Sequence, residues 1–263
     1  MTKTKNILPP PRLPDHTQLP DSDGNFVKNF QEHPQSILLT NSLGSVLKEI
    51  HPEGDYIIGQ DSGIYWRITD PPVLSAEAPD WFYVPHVPSL LDGKIRRFYV
   101  FWQELKYPLI AIEFASGNGK EKRSATPLFL SEEGERTKPG KFLVYENILR
   151  IAYYSIYEIR TGKLEVYYLK NDTYQKLVPN ERGHYSILPL KIELGLWQGT
   201  YQNQTQLWLR WWDELGNLLL IEEERAELEK YRTGLEKQRS ERAERRAHLL
   251  EENLKNMGVE ELK

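Results

Sequence analysis

Two carboxylates stand where an acid is costly. Asp80 enters the aromatic run "APDWFYV", and Glu113 closes the apolar run "LIAIEF" ahead of a polar loop. A carboxylate in an apolar strand is unfavourable unless a positive charge or hydrogen-bond donors meet it. If the two strands pair antiparallel, the start of one lies beside the end of the other and the acids converge. Converged carboxylates repel each other and lose hydration, so one takes a proton or a cation sits between them. Mg²⁺ suits that seat, because it prefers oxygen ligands and keeps positions open for water and phosphate. Each acid also has a plainer explanation. Asp80 could cap a turn, and Glu113 could pair with a buried Lys or Arg.

The surrounding pattern predicts the elements that hold these acids. Residues 36–50, "SILLTNSLGSVLKEI", carry apolar positions near a helical period. "DYIIGQDSGIYWRITD" (55–70) predicts two strands joined by a tight turn at Asp61-Ser62-Gly63, and "APDWFYVP" a short strand between prolines. A polar stretch with Lys94, Arg96 and Arg97 leads to the strand 109–114, and a long polar loop, 116–140, follows. "KPGKFLVYENIL" then predicts a short helix with Phe142, Tyr145, Ile148 and Leu149 on one face. Residues 151–177 predict three strands joined by two turns. The segment 185–220, with Trp197, Trp208, Trp211 and Trp212, closes the core.

Three regions follow: an extended proline-rich arm over 1–30, a folded domain over 31–220, and a charged helix over 221–263. In the last, Leu228, Tyr231, Leu235 and Leu249 fit a coiled-coil seam that Gln238, Arg242 and Arg245 interrupt. A solvated face and a homodimer are both open readings of that helix.

Composition narrows the partners. The net charge of −4 excludes a whole-chain basic footprint, so nucleic acid needs a local patch. The absence of Cys excludes disulfides and thiolate metal sites, and the six His show no zinc-binding spacing. The 263 residues contain no apolar run of 18, and the N-terminus has no signal-peptide core, so a cytoplasmic chain with no membrane partner is expected. No zinc finger, helix-turn-helix or other separable base reader is visible.

Pro79-Asp80 and Glu113-Phe114-Ala115 resemble the PD-(D/E)XK nuclease superfamily, with Ala115 where the triplet lysine usually stands. Within it, "GQDSGIYW", "APDWFYV", "IEFAS" and "GKFLVYENILRIAYYSIYEIRTGKLEVYYL" resemble the Uma-type restriction endonuclease group over about residues 36 to 215. That group commonly carries a K-x-x-x-Y lysine in the next helix, and Lys141 and Tyr145 fit the spacing. The resemblance implies an α/β three-layer core in which helices pack on a mixed sheet. It implies Asp80, Glu113 and the Phe114 carbonyl as ligands of Mg²⁺ or Mn²⁺, with no organic cofactor. Lys141 would polarise the attacking water, although Lys120 and Lys122 could also reach the site. Asp61 and Glu49 would be accessory acids.

The resulting expectation is a Mg²⁺-dependent endonuclease acting on DNA. Lys120, Lys122, Arg123, Lys138, Arg96 and Arg97 would contact phosphates, and backbone N–H groups of 116–119 would approach them. The alternative is a catalytically degenerate nuclease fold serving as a binding or assembly module through the C-terminal helix, a reading that Ala115 favours. A sugar-cleaving acid pair fits less well, because the bases near Glu113 suit an anionic substrate.

Overall fold

The computed structural model describes residues 30–68, 75–115, 119–127 and 138–256. The proline-rich arm, residues 116–118 of the loop after Glu113 and the chain end lie outside them.

The first element is α1, Glu32–Ile50, one turn longer at its start than the apolar period predicts. Pro34 is tolerated there because the first-turn N–H groups have no helical partner. Leu38, Leu39, Leu43 and Leu47 form its buried stripe. The strands that follow are β1 (Tyr56–Gln60), β2 (Ile64–Tyr65), β3 (Ala76–Glu77), β4 (Trp81–Pro85), β5 (Leu90–Leu91), β6 (Lys94–Ile95) and β7 (Tyr99–Val100). The short helix α2 (Phe101–Glu104) leads into β8, Ile110–Ala115. A 3₁₀ turn at Glu121–Arg123 comes next, then α3 (Lys141–Leu143), which widens into a π-turn over Val144–Ile148. The remaining strands are β9 (Tyr153–Glu158), β10 (Lys163–Lys170), β11 (Thr173–Lys176), β12 (Tyr185–Ile187), β13 (Ile192–Tyr201) and β14 (Gln204–Asp213).

Among the described residues a mixed six-stranded sheet runs β1-β4-β8-β9-β10-β11. Within this sheet β8 and β9 are the pair that runs parallel, because the chain between them returns through the 3₁₀ turn and α3. One face buries Trp81, Tyr83, Ile110 and Ile112 against α1 and the antiparallel sheet β12-β13-β14. The other packs Phe82, Val84, Ala111 and Ala115 against Val144, Tyr145 and Leu149. The α/β mixed-sheet core therefore stands, and the segment that closes it, 185–220, does so as a second sheet beside α1.

The predicted hairpin over 55–70 does not form. β1 pairs with β4 in the central sheet, whereas β2 pairs with β3 and β7 in a separate one. At Asp61 the backbone turns through a left-handed conformation (φ 47°), and its N–H donates to the Asp80 carbonyl at 3.2 Å. The five-residue ladder with β4 thus takes the edge that β2 would have used.

Cα packing divides the chain at Leu219/Leu220. The second unit contains α4, Glu222–Asn256, whose start is closed by the Ile221 N–H donating to Glu224 Oε2 at 3.0 Å. Leu228, Tyr231, Leu235 and Leu249 are exposed along it. Among the described residues no helix is long and apolar enough to cross a membrane.

Candidate active site

The antiparallel register of β4 and β8 pairs Trp81 with Ile112, so one step further Asp80 faces Glu113. Both lie in the two-residue repeat of Phe82, Val84, Ala111 and Ala115, on one face of the sheet. Helix α1 fixes the Asp80 end. Ser36 donates to the Asp80 carbonyl at 3.1 Å, and Trp81 Nε1 and Gln60 Nε2 donate to Thr40 Oγ1 at 2.9 and 2.7 Å. The helix is itself pinned by Gln35, whose amide bonds both the Leu209 carbonyl and the Leu209 N–H.

Glu113 is fully buried and surrounded by donors. Lys141 Nζ lies 2.9 and 3.0 Å from its two oxygens, the Tyr145 hydroxyl donates to Oε1 at 2.7 Å, and Lys122 Nζ contacts Oε2. The K-x-x-x-Y spacing acquires its physical reason here: residues one helical turn apart share a face, and both reach the same carboxylate. Lys141 also donates to the Ala78 carbonyl at 3.2 Å. Burial pushes the Glu113 carboxyl up, but the charges of Lys141 and Lys122 and the bonds from Lys122 and Tyr145 outweigh it and hold the group at about 2.

Asp80 is less well supplied. The Phe114 N–H donates to its Oδ2 at 2.5 Å, and Lys122 Nζ stands 3.6 Å from that oxygen. Burial and the neighbouring Glu113 charge push its carboxyl up to about 7, against the opposing pull of Lys122 and Lys141. One ammonium, that of Lys122, therefore contacts both acids. Burial opposes its charge, yet Glu113 and Asp80 push its pKa well above the ordinary lysine value. Ala115 leaves the triplet-lysine position without a cation, and Lys122 brings one from the 3₁₀ turn.

That turn is held by three contacts. Tyr154 donates to the Lys122 carbonyl at 2.7 Å, and Arg123 pairs with Glu158 at 2.8 Å and Glu165 at 2.7 Å. The base of the long loop is closed by Gly140 N–H to the Thr126 carbonyl (2.8 Å) and Phe142 N–H to the Ser124 carbonyl (3.1 Å). A Cβ on Gly140 would lie 2.1 Å from the Ser124 carbonyl oxygen, so only glycine permits this approach, which brings Lys122 and Lys141 to one carboxylate.

A family model described as "Uma2: Putative restriction endonuclease" matches residues 12–203. The chain belongs to the Uma2 family. Its core is a restriction-endonuclease-like fold, and membership points to a nuclease hydrolase. A search of curated proteins gives no match. In this Uma2 chain the residues singled out by sequence fall into three groups. Asp80, Glu113, Lys122, Lys141 and Tyr145 meet, and Asp61 adjoins them through its bond to the Asp80 backbone. Glu49 lies apart: Ser36, not Glu49, marks the site on α1, and thirteen residues of helix carry Glu49 about 20 Å along the axis. The third group is the basic set. Lys122 is enclosed in the site, Arg123 is spent on Glu158 and Glu165, and Arg96 is buried against Glu104 at 2.6 Å. Lys138 contacts Glu77 at 3.4 Å, Arg97 stacks over Phe98, and Lys120 is exposed.

Glu77 was not singled out by sequence. It is fully buried beside the site, and burial pushes its carboxyl up, with Lys138 and Lys141 opposing. Its place three residues before Asp80, in the short run "SAEAPD", is the signal that could have found it.

Proposed function

We propose that this Uma2 protein is a divalent-metal-dependent endonuclease hydrolysing DNA phosphodiester bonds. The observation that carries the reading is the convergence of Asp80 and Glu113 on one ammonium, in a site where Asp80 still lacks enough positive charge to ionise freely at neutral pH. The donor chemistry fits a hard cation. Asp80 and Glu113 would hold Mg²⁺ or Mn²⁺, and the Phe114 carbonyl leaves the strand on the same edge as the N–H that meets Asp80. When bound, such an ion supplies Lewis acidity at a phosphoryl oxygen and activates water.

The chain's own residues supply the rest. Lys141, partly exposed, holds a proton and a positive charge at the lip of the acid pair, suited to charge developing on phosphorus. Tyr145 orients the Glu113 carboxylate, and beside it the buried Glu77 faces the exposed Lys138. Backbone phosphates would be met by Lys120, Lys138 and Arg97, which present exposed side chains. Contacts of this kind position a duplex without reading bases. The test is nicking of supercoiled plasmid with Mg²⁺ or Mn²⁺. Wild type should nick, Glu113→Gln and Lys141→Ala should not, and equal rates for all three remove the reading.

One observation favours a second reading, a degenerate nuclease fold acting as an assembly module. Lys141, Lys122 and Tyr145 already satisfy both oxygens of Glu113. Assembly through α4 would show as a drop in sedimentation coefficient on replacing Leu228 and Leu235 with Lys. No Mg²⁺ heat at millimolar concentration would select this reading over catalysis.

A further inference from the structure

At the far end of β4 a second group of ligand-type side chains converges. His51 ends α1, Asp55 precedes β1, and His86 follows β4. The β1–β4 ladder runs from Gln60 and Trp81 to Tyr56 and Pro85, and the Val87 N–H donates to the Asp55 carbonyl at 3.1 Å. The five residues of β4 place this cluster about 17 Å from the Asp80 end. His51 Nδ1 lies 2.7 Å from Asp55 Oδ1, and His86 Nδ1 lies 3.2 Å from Asp55 Oδ2. One ligand atom from each residue lies within 4.8 Å of the others.

We propose that His51, Asp55 and His86 form a separate metal site, taking a zinc-class divalent cation through two imidazoles and one carboxylate. Nitrogen donors distinguish it from the all-oxygen acid pair, and mixed imidazole–carboxylate sets favour Zn²⁺, Co²⁺ or Ni²⁺ over Mg²⁺. A tetrahedral zinc ion needs its ligand atoms about 3.3 Å apart, so the three close in by about 1.5 Å at most. That adjustment falls on the two side chains free to make it, since His86 is 67% and Asp55 44% exposed, while His51 is buried.

The support behind His51 is already built. Its Nε2 lies 2.6 Å from the Tyr83 hydroxyl, and its ring packs against Tyr56 with centroids 5.3 Å apart. Tyr83 can serve either tautomer. Its hydroxyl donates when Nδ1 carries the ring proton and accepts when Nε2 does, and the second tautomer turns the Nδ1 lone pair toward Asp55 and His86. A partner on the non-ligating nitrogen is what metal-bound histidines use to fix ring orientation. The solvent-facing side leaves a fourth position for water. No zinc spacing is visible in the sequence because His51 and Asp55, four residues apart, are joined by a second imidazole, His86, only through the β1–β4 register.

The experiment uses the untagged full chain with Zn²⁺ titrated by calorimetry in millimolar Mg²⁺, which occupies oxygen-only seats. The expected result is one equivalent of Zn²⁺ at low-micromolar affinity or tighter, weakened about tenfold or more by His86→Asn and by Asp55→Asn. Asn is chosen because His86 holds a left-handed backbone (φ 57°), which Asn tolerates. Co²⁺ gives a second readout: a visible ligand-field band present in wild type and in Glu113→Gln, and absent in His86→Asn. No Zn²⁺ uptake at tens of micromolar, equal affinity in His86→Asn, or a cobalt band lost only in Glu113→Gln would each overturn the proposal.

Discussion

Replacing Lys122 with Met removes the ammonium that touches both acids while keeping the length of the side chain. The 3₁₀ turn stays anchored through Arg123 and the Tyr154 bond to the backbone, so the change acts at the carboxylates. Glu113 keeps Lys141 and Tyr145, but Asp80 loses the cation at 3.6 Å and faces a buried like charge. Removing one member of a buried ion pair costs about 3–5 kcal/mol. For a domain of this size that is a fall in Tm of about 6–20 °C. A divalent ion, if held by Asp80 and Glu113 as proposed, would compete with Lys122 for the same oxygens and restore much of the loss. Thermal melts of wild type and Lys122→Met, with EDTA and with about 5–10 mM Mg²⁺, measure this, because an ion bound to the folded state raises Tm by mass action. A larger Mg²⁺-induced rise is expected in the variant. An equal rise in both proteins would refute competition for one seat.

The remaining predictions concern pH and the loop. Glu113, held at about 2 against 4.5, contributes stability present above pH 4.5 and lost as pH falls toward 2, on the order of 3 kcal/mol; Glu113→Gln should flatten that acid limb in urea titrations. Asp80 has the opposite sign. Raised from 3.8 to about 7, it favours the fold below pH 3.8 and loses that contribution as pH rises through 7, so Asp80→Asn should remove a decline between pH 4 and 7 in metal-free protein. Gly140→Ala should cost several kcal/mol, because the clash is with a backbone carbonyl that cannot rotate away, and nicking should fall with it; an unchanged Tm would show that the loop base can shift.

The parts of the site legible in the sequence are those set by local pattern. Alternation along "WFYV" and "IAIEFA" fixes which side chains share a face, and antiparallel pairing does the rest for Asp80 and Glu113. Helical spacing joins Lys141 to Tyr145 before any tertiary contact is known. What the sequence could not resolve depends on which distant partner wins. "YIIGQDSGIYW" has the local form of a hairpin, yet β4 outcompetes β2 for the edge of β1. A basic loop has the form of a phosphate patch, yet Lys122, Arg123 and Arg96 each find an acid remote in sequence or across a turn. Ala115 looks like a lost lysine, but an ammonium returns to the site from seven residues further along the chain. The His51, Asp55 and His86 group escaped for the same reason: His51 and Asp55 are four residues apart, but His86 joins them only through strand register.

Asp80 and Glu113 are proposed to share a divalent cation. Crystals soaked in Mn²⁺ and measured for anomalous scattering test it without reference to activity. An anomalous peak is expected within bonding distance of both carboxylates, about 2.2 Å from each, with the Lys122 ammonium displaced from between them. Full occupancy of the crystal's other sites with no peak there, and Lys122 still bridging the two acids, would contradict it.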